Sequence, residues 1–222
     1  YLDDVDTVRP DNMQASQLLV EHLIRHGHQR IAWLGGQSSS LTRAERVGGY
    51  CTTLLKYGLP FHSDWVLECS SSQKQAEEEV TALLRRNPTI SAVVCYNETI
   101  AVGAWFGLMR AGRQSGEIGV DRYFEQQISL AGFADVAENA LDDIPIIWAC
   151  TPAREMGYTL AERMLQRIGH DDGHSRNLTL SARLVVAKSS DIQPTLESLK
   201  GKRVGVLQGT TQETYGNEHW AP

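Results

Sequence analysis

Several signatures are missing from this chain of 222 residues, and each absence closes a functional class. No apolar run approaches the ~20 residues that cross a bilayer as a helix. The opening, YLDDVDTVRPDN, is acidic and has no apolar leader core, so a cytoplasmic protein with no membrane partner is expected. There is no GxGxxG, no GxxxxGKS/T and no GxSxG. Dinucleotide, nucleotide and serine-hydrolase readings therefore lose their phosphate loop or nucleophile elbow. Positive charge is short: 21 Lys and Arg stand against 27 Asp and Glu, a net −6. Phosphate backbones are bound by clustered bases, so this chain alone is not expected to bind DNA. The four cysteines, Cys51, Cys69, Cys95 and Cys150, form no CxxC, and buried free thiols are expected rather than disulfides. No internal repeat and no low-complexity linker interrupts the chain.

What is present is an alternation of short apolar runs with capped amphipathic segments. At 41% hydrophobic and 22% charged residues, the chain is an ordinary globular one with enough sequence for a real core. Asp11-Asn12 can cap a helix with apolar face Ala15, Leu18, Leu19, Leu23 and Ile24, stopped by Gly27. Ile31–Leu34 reads as a strand ending in Gly35-Gly36. Thr42 and Glu45 suggest a capping box for a helix through Val47, Tyr50, Leu54 and Leu55. Trp65–Cys69 reads as a strand, and Ser72 with Gln75 opens a further helix that Asn87-Pro88 ends. Ala92–Tyr96 is a strand and Ile100–Ala111 a helix closed by Gly112. Ile128–Ala131 and Ile146–Ala149 are strands, and Thr151-Pro152 starts a helix running to Ile168. Such a βαβ rhythm predicts a doubly wound, mainly parallel sheet with helices on both faces, a three-layer α/β fold.

Ligands of such sheets sit at the carboxyl ends of the strands. Four of these ends are polar here: Gly35–Ser38, Ser70–Ser72, Asn97-Glu98 and Phe133–Asp135. They suit a small polar or polyhydroxyl molecule, although Gly, Ser and Asn after strands also serve simply as turn formers. His22 and His26 share a helix face but lack a third ligand, and His170, Asp171, Asp172 and His174 read as a solvated loop. No metal, no cofactor and no catalytic group is assigned, so an enzyme is not expected.

Particular stretches carry a family resemblance. DNMQASQLLVEHLIRHGHQRIAWLGG, RAERVGGY, SAVVCYNETIAVGAW, ISLAGFADV and PAREMGYTLAERML occur in the order found in LacI-family repressors. Together they span roughly residues 5–188. The resemblance implies an effector domain of periplasmic-binding-protein type I, with a small sugar-like effector between two lobes, and a homodimer. It also implies that the chain begins after the helix-turn-helix, the hinge helix and most of the first lobe. Arg46 and Asn97 match family pocket positions, and they are expected to face the cleft together with Gly36 and Phe133. Ala134 stands where many members carry an effector-binding Asp. Asp135 is adjacent, but on an extended chain it is expected to point elsewhere. A site with one wall missing is expected to bind weakly.

From about Ala182 onward the tail is similar to a second family, the periplasmic histidine and lysine/arginine/ornithine binding proteins. DIQPTLESLKGKRVGVLQGTTQET resembles their hinge strand and the first βα unit of their second lobe. There, Thr211 and Gln212 would lie at a ligand-facing helix N-terminus. The expected organisation is a truncated effector domain over 1–188 and the start of a second binding-protein lobe over 189–222, packing onto the same sheet. A strand at Arg203–Leu207 and a helix at Thr210–Glu218 are expected in the tail. Two other readings stay open: a fold chimera that has lost ligand binding, and a flavodoxin-like enzyme or nucleotide binder.

Overall fold

The computed structural model describes residues 5–114, 128–135, 145–169 and 174–186, with side chains for all of these but 112–114. The chain divides into two units, Tyr1–Ser190 and Asp191–Pro222, and every described residue lies in the first. The expected tail strand and helix, together with Thr211 and Gln212, lie outside the described residues.

The described elements run β1 (Thr7–Pro10), α1 (Asn12–Arg25), β2 (Ile31–Leu34), α2 (Leu41–Lys56), a 3-10 turn (Ser63–Trp65), β3 (Val66–Leu67) and α3 (Gln73–Arg86). They continue with β4 (Ala92–Cys95), α4 (Glu98–Gln114), β5 (Ser129–Ala134), β6 (Ile146–Cys150), α5 (Ala153–Ile168), β7 (Asn177–Leu180) and β8 (Arg183–Val185). The main sheet has the order β3-β2-β4-β5-β6-β8. Every pair is parallel except β6 with β8. The four segments expected to share a parallel sheet do so. β1 and β7 pair separately, also in parallel.

Strand alternation sorts the core onto two faces. Ile31, Trp33, Ala92, Val94, Ala131 and Phe133 pack with Leu19 and Leu23 of α1 and Tyr50 and Leu54 of α2. Ala32, Leu34, Val93, Cys95, Leu130 and Trp148 pack with Val80 and Leu83 of α3 and Ala101 and Ala104 of α4. The large polar-tipped side chains of the first face are satisfied within it. Tyr50 donates to Ile31 O at 2.7 Å, and Trp33 Nε1 donates to Gly35 O at 3.0 Å. Four cysteines are free thiols, three of them buried. Among the described residues no helix is long and apolar enough to cross a membrane.

Local details differ from the sequence reading where side chains found better partners. α2 is capped by Ser40, whose hydroxyl accepts from Arg43 N, and not by a Thr42–Glu45 box. Glu45 instead takes a hydrogen bond from Asn12. The stretch from Trp65 to Cys69 contains only a two-residue strand, preceded by a 3-10 turn and followed by an isolated bridge from Gly36 to Cys69. α4 begins two residues before Ile100 and runs past Gly112. β5 continues through Gly132 to Ala134, because that glycine lies under Trp148 and against Ala101, inside the packed layer.

Candidate functional site

The strand order turns around between β2 and β4. β2 leads into α2 on one face of the sheet, and β4 leads into α4 on the other. A crevice therefore opens beyond their carboxyl ends, the usual ligand position in such sheets. Gly35 and Gly36 make the turn out of β2 with φ of 103° and 78°, a region L side chains rarely occupy. This bend leaves Gly35 O accepting from Arg43 Nε at 3.1 Å and brings α2 over the strand ends.

Beside this turn lies a cleft of about 330 Å³. Arg9 and Pro10 at the end of β1 form one side. Asn12 and the first turns of α2, with Leu41, Thr42, Glu45 and Arg46, form the second. Asp135 and Thr151, just beyond β5 and β6, close the third.

Arg46 is the centre of its hydrogen bonding. It is a buried cation held on three sides. Nε donates to Asn12 Oδ1 at 3.1 Å and Nη1 donates to Tyr96 O at 2.7 Å. The guanidinium lies over the Phe133 ring at 4.2 Å and near the Tyr96 ring at 5.4 Å. Nη2 makes no hydrogen bond among the described residues. Burial lowers the pKa of Arg46, while Tyr96, Asp135 and Glu45 oppose that shift. The arginine stays charged, as guanidinium groups do in proteins. Asn12 is itself buried and bridges the two signs of charge. It accepts from Arg46 and donates from Nδ2 to Glu45 Oε2 at 2.8 Å. Glu45 also lies 3.8 Å from Arg9 Nη1.

The sequence-predicted residues divide by role. Arg46 lines the cleft. Phe133 is buried beneath the guanidinium and supports it by a cation–π contact. Gly36 shapes the turn. Asn97 points elsewhere: its Oδ1 accepts from Ile100 N to cap α4, and its Nδ2 donates to Ser71 Oγ at 2.8 Å. It is not among the residues that line the cleft.

Asp135 corrects an expectation. β5 ends at Ala134, so strand alternation stops one residue earlier, and Asp135 lines the cleft with Arg46. Asn12 and Glu45 escaped the sequence reading because both looked like helix-cap residues. The signal available was their position, one at each helix N-terminus that converges on the crevice. Among the described residues no group of three His, Cys, Asp or Glu side chains could hold a metal. The His22 and His26 rings instead lie against each other, centroids 4.1 Å apart and planes tilted by 34°.

Two basic and two acidic side chains thus surround the cleft, with amide and hydroxyl groups between them. Donors and acceptors are balanced, and no cluster of cations faces it.

Comparison with known proteins bears on this geometry. Residues 1–188 match the family described as periplasmic binding proteins and sugar binding domain of LacI family. The maltose regulon regulatory protein MalI of Escherichia coli (strain K12) is 79% identical over 188 residues, covering 85% of this chain and 55% of that protein. The chain thus spans about half the length of that relative. A 64-residue segment is 64% identical to the histidine-binding periplasmic protein of the same strain, covering 29% of this chain and 24% of that protein. This second match is longer than the stretch from Ala182 to Pro222. In structure, the chain is similar to a sugar-binding transcriptional regulator of the LacI family from Escherichia coli, complexed with phosphate. The TM-score is 0.65 at 28% identity, over 80% of this chain and 60% of that one.

Proposed function

Because the chain belongs to the family of periplasmic binding proteins and LacI-type sugar-binding domains, we propose that its cleft receives a small neutral polyhydroxyl effector, as the sensing part of a transcription regulator. The observation that carries this reading is Arg46. A cation is held buried by Asn12, Tyr96 and Phe133, with one nitrogen left to donate beside Asp135. Glycols are bound by paired donors and acceptors, and an arginine facing a carboxylate supplies both. The balance of charge in the cleft disfavours phosphates, which call for excess positive charge.

Affinity is expected to be weak. The cleft lies near the low end of the ~300–1,000 Å³ range of small-molecule pockets, and such pockets normally enclose most of their ligand. The setting we propose is the cytoplasm, as for a regulator, with no specific operator binding by these residues alone. We also propose that the regulator-like part ends near residue 188, where the family match ends.

A second reading is favoured by the match to a histidine-binding protein: a chimera of two binding-protein folds in which ligand binding is lost. A thermal-shift screen with millimolar hexoses, disaccharides and basic amino acids separates the two. Ligand at 100-fold its dissociation constant adds about 2.7 kcal/mol. For a domain of this size that is a rise of roughly 5–10 °C in midpoint. A sugar-dependent rise, abolished by Arg46→Met, supports the sensing domain. No shift with any compound supports the chimera. A sub-micromolar sugar affinity would contradict the weak, shallow site.

A further inference from the structure

The end of the sheet away from the cleft gathers histidines. α1 stops at Arg25, and the chain turns through His26, Gly27 and His28 on its way to β2. His22 and His28 are half-buried there, and His26 is exposed. The His22 and His26 rings lie against each other, one helical turn apart. His26 Nδ1 donates to His22 O at 2.8 Å, since a carbonyl only accepts. His28 N donates to Leu23 O at 3.1 Å, and its Nδ1 lies 2.9 Å from Ser91 Oγ, just ahead of β4. The three residues thus tie the end of α1 to the approaches of two neighbouring strands, β2 and β4.

We propose that His22, His26 and His28 form an acid-sensitive latch, which holds this end of the sheet closed while the rings are neutral and loosens it when they take protons. This does not depend on the effector reading. The first argument is the want of a counter-charge among the described residues. Glu21 is the one carboxylate within α1, and it accepts from the Tyr57 hydroxyl at 2.6 Å and from Lys56 Nζ at 3.2 Å, at the end of α2. Asp64, in the 3-10 turn beside β2, takes a hydrogen bond from Ser63, and His62 there lies against Trp65. On β8, Arg183 is paired with Glu155 at the carboxyl ends of the strands. The described residues that open β5 and β6, Ile128, Ser129, Pro145 and Ile146, carry no charge. The remaining charged neighbours are cations: Arg25 ends α1, Arg30 leads into β2, and Arg85 and Arg86 end α3 ahead of β4.

The second argument is the balance of forces on the rings. A helix C-terminus favours a cation and by itself would help them to protonate. Burial opposes this at His22 and His28, neighbouring histidines add to it, and both pKa values are lowered. A base whose folded pKa lies below its unfolded value of about 6.5 keeps its stability above that value and loses it as pH falls through it. Each such histidine changes the equilibrium by at most about tenfold per pH unit. The Ser91 hydroxyl can donate to a neutral ring or accept from a charged one, so this hydrogen bond does not resist the change. The Arg46 network sits at the opposite ends of the same strands, so the loosening is local to the strand starts.

The test is hydrogen exchange of the full chain at about pH 7 and pH 5.5, corrected for intrinsic rates. The His26, His28 and Ser91 amides, which donate to His22 O, Leu23 O and Arg30 O, are expected to lose roughly threefold or more of their protection at the lower pH. Amides in the middle of α3 should keep theirs. His22→Gln combined with His28→Gln should remove the difference. Independently, the His22 and His28 Cε1–H signals of the wild type should titrate below about pH 6.5. Signals that titrate at or above that value overturn the proposal. So does an unchanged protection, a loss that the double variant retains, or a loss spread evenly over the chain. If the double variant does not fold, the wild-type titration and the location of its exchange decide the matter.

Discussion

Gly103 sits where α4 crosses α3, and replacing it by alanine sets two effects of opposite sign against each other. In a helix interior alanine is better than glycine by about 1 kcal/mol. At Gly103, however, a methyl group would stand 2.4 Å from Gln73 O, 2.8 Å from Gln73 Cα and 2.9 Å from Ala76 Cβ. Two of those atoms are backbone at the start of α3, so no side chain can swing aside. Relief requires the helices to separate, and α3 and α4 bury Val80, Leu83 and Ala104 on that face of the sheet. Overpacking of this kind costs roughly 1–3 kcal/mol. Because the two nearest clashes are with backbone, the cost falls in the upper half of that range, about 2–3 kcal/mol. The net expectation for Gly103→Ala is a loss of about 1–2 kcal/mol, or roughly 2–8 °C in a domain of this size. Gly157 in α5 is the control, since an added methyl there meets nothing within 4 Å. Gly157→Ala should gain about 0.5–1 kcal/mol through the unfolded chain alone. Urea denaturation at low micromolar protein, followed by circular dichroism, measures both. Gly103→Ala at or above wild-type stability would refute the packing of α4 on α3 described above.

Other expectations follow from charge and burial. Asp6 is held well below the ordinary aspartate range, first by its hydrogen bond from Arg167, then by Arg176 N and Arg163. A depressed folded pKa contributes stability above the unfolded value of about 3.9 and loses it as pH falls through the acid range below. Asp6→Asn should therefore lower the midpoint at pH 7, and the gap to wild type should narrow below about pH 4. An equal gap at pH 7 and pH 3 would contradict this. The thiol of Cys69 is pushed up to about 11 by burial, Cys95 is raised further, and Cys51 is only half-buried. Ellman titration of the native chain should find one fast thiol, and titration in denaturant four. Two or more fast native thiols would show the strand ends to be open.

The parts legible in the sequence were those where local pattern and tertiary need agree. Ile31–Leu34 is four apolar residues between a helix stop and two glycines, and it is β2 to the residue. α1 begins at its Asp11 cap, which accepts from Gln14 N. Gly27 follows with a φ of 91°. What could not be read depended on partners far away in the chain. β1 and β7 are short and polar, and TVRP even ends in proline. They become strands only because residues about 170 apart in sequence meet side by side. Gly112 looked like a stop, yet α4 passes it, and the strand expected over Ile128–Ala131 runs on to Ala134. In the candidate site, Arg46 was readable because RAERVGGY carries a family pattern. Its clamp was not, since Asn12 lies 34 residues away and resembles a cap residue. Asn97 shows the reverse case, a family pocket position whose side chain caps α4.

The effector is expected to enter the Arg46 cleft rather than another surface. The most direct measurement is a nuclear magnetic resonance titration of the full chain with hexoses and disaccharides at millimolar concentration. It would follow the Arg46 Nε–H and Asn12 side-chain amide signals. Both are predicted to move together and to saturate with one dissociation constant above the micromolar range. Signals of Arg85 and Arg110, which border a separate cleft of about 290 Å³ between α3 and α4, should stay still. Saturable shifts confined to that second cleft, or no shift at Arg46 and Asn12 with any sugar, would contradict it.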